Sequence, residues 1–111
     1  MIITQADFEK VEIRVGRVVA ADDFPEARKP AYRLRVDFGP VIGVRTSSAQ
    51  ATDRYSKEAL VGRLVVAVVN LPPKQIGPFR SEVLTLGVPD GQDAVVLIAP
   101  DQDVPVGGRM F

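Results

Sequence analysis

The chain has 111 residues, room for one domain with a single core, and its 46% hydrophobic and 25% charged residues mark a globular rather than a disordered chain. Fourteen basic residues balance fourteen acidic ones, a neutral total that argues against a dedicated phosphate binder. Histidine and cysteine are both absent, which excludes disulfides, thiol catalysis and Cys or His metal sites and removes the commonest general base, so an enzyme is not expected.

Thr4-Gln5-Ala6-Asp7 has the spacing of a capping box, with Asp in the place of Glu, and predicts a short helix to about Lys10. Residues 11–20 begin by alternating apolar and polar side chains, the mark of a half-buried strand; Gly16 within them predicts a bulge or bend at a barrel corner. Residues 24–30 are bounded by prolines and read as a loop. Tyr32, Leu34, Val36 and Phe38 alternate with Arg33, Arg35 and Asp37, which makes this the clearest strand in the chain. Gly39-Pro40 marks a turn, and residues 41–46 predict the next strand, paired with the previous one as a hairpin. Residues 47–52 are small and polar and lead toward a helix that Ser56 caps and Gly62 ends. Residues 64–69 are apolar without alternation, as in a strand buried on both faces or a barrel wall. The chain then leaves the core through Pro72, Pro73, Gly77 and Pro78, a stretch too long for a hairpin turn. Residues 83–86 and 94–98 read as strands joined through Pro89-Asp90-Gly91, and residues 104–108 as a loop.

Three strands, a short helix and further strands suit a small closed barrel, because closure removes the edges that short apolar strands would expose. A helix between the third and fourth strands of a five-stranded Greek-key barrel is the OB arrangement. An SH3-like barrel is the alternative, with less room for the helix and the long loop. The expectation is therefore an all-β OB-fold barrel with short helices, one domain over residues 1–111. No run approaches the roughly 20 apolar residues that span a bilayer, and the first residues lack a basic region and an apolar segment of leader length. A cytoplasmic protein is expected.

Three groups of residues carry candidate binding chemistry. In the proline-rich stretch, Lys74 and Arg80 offer charge, Ile76 and Phe79 offer apolar surface, and Asn70 offers hydrogen bonds to loop backbone. Proline restricts this stretch, and a preorganised loop favours binding, although a rigid connector reads the same way. Arg28, Lys29, Arg33, Arg35 and Arg45 form a basic cluster. Arg33 and Arg35 share one strand face; Tyr32 points the other way, so no aromatic platform for base stacking accompanies them. Ser47, Ser48 and Gln50 are small polar donors. Asp101 and Asp103 lack the further ligands of a calcium loop, so no metal is expected. Met1, Ile2, Ile3, Met110 and Phe111 leave both ends apolar, which predicts a two-fold dimer that buries them.

Residues 7–18, with Asn70-Leu71-Pro72-Pro73-Lys74-Gln75-Ile76, Gly77 and Ser81, resemble the tRNA-binding domains of the EMAP II, Arc1p and methionyl-tRNA synthetase C-terminal type. Residues 23–32, Ser47-Ser48-Ala49-Gln50 and Ser81-Glu82-Val83-Leu84 resemble, more narrowly, the CsaA family of export-related chaperones. The resemblance spans essentially the whole chain. It implies an OB-fold homodimer of the cytoplasm, without cofactor, that binds unfolded or export-destined polypeptides; the wider group implies tRNA binding. Where the tRNA-binding relatives often carry a glycine after the loop serine, this chain has Glu82, whose charge is expected to repel phosphate.

Overall fold

The computed structural model describes residues 1–111. Its elements are α1 (Gln5–Glu9), β1 (Ile13–Asp23), β2 (Tyr32–Asp37), β3 (Val44–Ala49), α2 (Lys57–Leu60), β4 (Leu64–Val68), β5 (Lys74–Ile76), β6 (Phe79–Ser81), β7 (Leu84–Thr85), β8 (Gly87–Pro89) and β9 (Val95–Leu97). Five of them form one antiparallel sheet in the order β3-β2-β1-β4-β7, curled into a nearly closed barrel of the OB type. The other strands make two small hairpins, β5–β6 and β8–β9.

The alternation in β2 becomes the barrel's inner wall. Leu34, Val36 and Phe38 are fully enclosed and pack with Val18, Leu60 and Val65. Each such side chain contributes about 1.5–3 kcal/mol of burial free energy. β4 is buried on both faces, as its unalternating sequence predicts. Val65 and Ala67 face the main core, whereas Val66 and Val68 join Ile13 in a smaller cluster against Phe8 and Leu86. Both helices start where their caps lie. The Thr4 hydroxyl accepts from the Asp7 N–H and the Asp7 carboxylate from the Thr4 N–H, each at 3.1 Å. The Ser56 hydroxyl accepts from the Ala59 N–H at 3.1 Å, and Gly62 ends that segment at φ 91°.

Several expectations change. Gly16 is not the bulge: the register shift falls between Val18 and Ala20. Gly16 instead permits close packing, since a Cβ there would lie 2.5 Å from Val36 Cγ1 and 2.8 Å from Phe38 Cε1. β3 begins at Val44, not at residue 41, because Asp37 accepts from the Gly39 N–H and Gly43 turns the chain at φ 81°, leaving Val41 exposed. The strand consequently runs on through Ser47, Ser48 and Ala49, beyond the expected end at Thr46. The proline-rich stretch is no open loop; it folds as the β5–β6 hairpin, turning at Gly77-Pro78. The tail is sheet-paired as well. Val15 N–H donates to Gly108 O (2.9 Å), Gly107 N–H to Val15 O (2.8 Å) and Met110 N–H to Ile13 O (2.8 Å), covering the edge of β1 that β2 leaves free. No helix is long and apolar enough to cross a membrane.

Candidate functional site

The barrel closes at a seam between β3 and residues 80–85, and side chains make much of it. Glu82 and Val83 N–H both donate to Thr46 O, at 2.9 and 3.2 Å. In return Thr46 N–H donates to Glu82 Oε1 at 3.0 Å. The Thr46 hydroxyl lies 2.6 Å from Arg80 O and 3.0 Å from the same carboxylate oxygen. The Ser47 hydroxyl donates to Val83 O at 3.1 Å and meets Thr85 Oγ1 at 2.8 Å, while Ser48 N–H donates to the Ser81 hydroxyl at 3.0 Å. The Thr46 N–H holds the Glu82 carboxyl below its ordinary pKa. Partial burial opposes this; the Thr46 hydroxyl, Arg45 and Arg80 assist it. The charge of Glu82 is therefore engaged in closing the barrel, a role that the sequence comparison with phosphate-binding loops did not suggest.

Over this seam, walled by β3, residues 71–72 and both hairpins, lies an open cleft of about 690 Å³. Its apolar lining includes Leu71, Ile76, Val83, Leu84, Val88 and Leu97. Val83 and Leu97 are buried, whereas Leu84 and Val88 each keep half of their surface in solvent. Lys74, Glu82 and Asp93 are its charged lining residues. Asp93 is the one non-glycine residue with positive φ, at 69°, in the turn of the β8–β9 hairpin. A second groove of about 410 Å³ adjoins the first, sharing Ser48, Gln50, Lys74 and Ile76 with it and adding Glu26, Arg28 and Lys29.

The structure thus gathers Arg28, Lys29, Ser48, Gln50, Lys74, Ile76 and Ser81 around two joined grooves. Arg33 and Arg35 lie on the outer face of β2, in register with Ser48 and Thr46. Arg45 is separated from them: it stands opposite Val36, on the other face, and its guanidinium is 3.9 Å from Glu82. Arg80 is exposed on β6. Phe79 packs edge-on against the buried Phe24 ring with centroids 5.2 Å apart, and the Arg33 guanidinium lies 5.9 Å from that same Phe24 ring. Ser47 is wholly enclosed in the seam. Asn70 bonds backbone, as expected, but not that of its own loop: it accepts from Glu12 N–H and donates to Lys10 O, tying the exit of β4 to the start of β1.

The neutral total conceals a segregation. Lys10, Arg14, Arg17, Arg45, Arg54, Lys57 and Arg109 are tied to carboxylates or backbone carbonyls, and Arg63 lies over the Tyr55 ring. The remaining six cations, Arg28, Lys29, Arg33, Arg35, Lys74 and Arg80, form no salt bridge and belong to the groove-lining loops and the strands beside them.

Sequence reasoning missed the apolar wall formed by Leu71, Leu84, Val88 and Leu97. The apolar residues Val83, Leu84 and Leu86 were the available signal. They identified a strand but not which face the barrel would leave open.

The sequence and the fold have counterparts in known proteins. The family described as "Putative tRNA binding domain" matches residues 13–109, and the chain belongs to it. Among solved structures it is similar to the CsaA chaperone protein of Picrophilus torridus, at 49% identity and TM-score 0.92, covering 99% of this chain and all of that one. It is similar also to chaperone CsaA of Bacillus anthracis, at 44% identity and TM-score 0.93, with both chains fully covered. The methionine–tRNA ligase of Thermococcus onnurineus is 38% identical over 104 residues; the match takes in 94% of this chain and only 14% of the ligase.

Proposed function

We propose that this protein is a non-catalytic, CsaA-like chaperone that holds unfolded or export-destined polypeptide segments in the cytoplasm. The observation that carries the reading is the open apolar cleft, with Leu84 and Val88 half exposed over a floor of Val83 and Leu97. An apolar surface kept open on a small domain is a candidate partner surface. β5 and β8 each pair on one edge only, with β6 and β9, so each has a free edge beside the cleft. An extended segment can bury apolar side chains there while its main chain bonds to such an edge, a mode that tolerates many sequences. The likeness to two proteins called chaperones supports the same reading.

A second reading, tRNA binding, is favoured by the family and by the six cations of this region, none of which forms a salt bridge. Competition separates the two. A labelled apolar peptide is titrated into the protein at moderate and at high salt, and bulk tRNA is then added. The expected result is peptide binding that persists at high salt and survives tRNA. If tRNA instead binds tightly, loses affinity steeply with salt and displaces the peptide, the basic surface is the working one and the chaperone reading fails.

A further inference from the structure

The two grooves differ in chemistry yet are not separate. The first is apolar. The second brings Arg28, Lys29 and Lys74 against a single carboxylate, Glu26. Lys74 and Ile76 line both, so no wall divides the apolar surface from the cationic one. None of the three cations has a hydrogen bond or an ion pair of its own. The first groove also carries two carboxylates: Glu82, engaged by Arg45 and Thr46 in the seam, and Asp93, which has no basic partner. The combined groove is therefore electrically lopsided: its cations gather with residues 26–29 and Lys74, Glu82 is engaged in the seam, and its one free carboxylate outside the cationic groove, Asp93, lies at the β8–β9 turn.

We infer that the joined grooves are consecutive subsites for one polypeptide segment, an apolar run flanked on one side by acidic residues, with Arg28, Lys29 and Lys74 reading the acidic flank. This rests on the polypeptide reading above. Charge complementarity selects the occupant. Exposed cations around an apolar cleft add little general affinity, but they discriminate between flanks and fix which way a segment lies. Asp93 reinforces that direction by disfavouring an acidic residue at its own end.

The test uses labelled peptides that share one apolar run and differ only at one end, which carries glutamates, glutamines or lysines; each is made in both chain directions. Binding is measured at low salt, where exposed charges are least screened. For the wild type, one direction of the glutamate peptide should bind roughly three- to tenfold tighter than the glutamine peptide, the range for two or three exposed charge contacts. The lysine peptide should bind weakest. In the double variant Arg28→Glu, Lys29→Glu the glutamate and lysine peptides should exchange ranks. The glutamine peptide should bind as before, which also shows that the variant is folded. Flanks that make no difference in either direction would overturn the inference and leave the polypeptide reading intact. If no peptide binds the wild type, the polypeptide reading fails, and this inference with it. A double variant that loses tRNA binding while its peptide preferences stay unchanged would assign the cationic subsite to nucleic acid and also overturn the inference.

Discussion

Glu82 couples the barrel's closure to its environment. Its carboxylate accepts from Thr46 N–H, and this contact, with the Thr46 hydroxyl and Arg45 nearby, holds its pKa below the ordinary value of 4.5. A depressed folded-state pKa means that the stabilisation is fully present above the ordinary value and is lost as pH falls through the folded-state value. Asp7, held low by the Thr4 N–H, and Asp90, held low by the Gln92 N–H, act in the same direction. Melting curves of the wild type should therefore decline as pH drops below about 4.5. Glu82→Gln should melt lower at neutral pH and decline less steeply in acid. Parallel pH profiles for the two proteins would show that Glu82 does not couple closure to pH. Nothing local in Ser81-Glu82-Val83 announces this role, because the partner, Thr46, lies 36 residues away. The capping residues Thr4, Asp7 and Ser56 were legible for the opposite reason: each bonds three residues along the chain.

At the level of elements, the β5–β6 hairpin stands outside the barrel and is anchored through Phe79, whose ring meets the buried Phe24 edge-on. Such an aromatic pair contributes about 0.5–1.5 kcal/mol beyond its area. Phe79→Ala should lower global stability by roughly 1–3 kcal/mol, since Phe79 is only partly buried and less is lost than in a full core truncation. The larger effect should be local. Hydrogen exchange at Ile76 and Phe79 should accelerate before the barrel strands respond. Uniform acceleration across hairpin and barrel would mean that Phe24 does not anchor the hairpin separately. β2 was readable because its apolar residues recur at period two, and β4 because apolar residues fill every position. The hairpin was not, because Lys74-Gln75-Ile76 and Phe79-Arg80-Ser81 are too short to show a period. The start of β3 was misplaced for a related reason: Val41 and Ile42 are β-branched, but Gly39 and Gly43 at positive φ decide the turn.

At the level of the whole molecule, Met1, Ile2 and Phe111 are fully exposed, and Phe8, Val11 and Met110 line a further groove of about 280 Å³ with Phe111. We propose that a second copy covers this surface across a two-fold axis. Such a dimer would present two clefts and bind one extended client at both, raising its apparent affinity. Sedimentation equilibrium at micromolar concentration should give twice the chain mass, and Val11→Asp with Met110→Asp should return it to the monomer value. A wild type that sediments as a monomer would remove the dimer.

The pairing of residues 107–110 with β1 sets an order of events for folding. Ile13 and Val15 lie on a strand whose second edge is completed only by groups more than ninety residues further along. Until that segment has been synthesised, the amino-terminal half of β1 presents an open edge to any neighbouring extended chain. Contacts so distant in sequence also slow the search for the native state. The domain should thus mature only after residue 110 has left the ribosome, and during that interval it is itself a chain in need of protection.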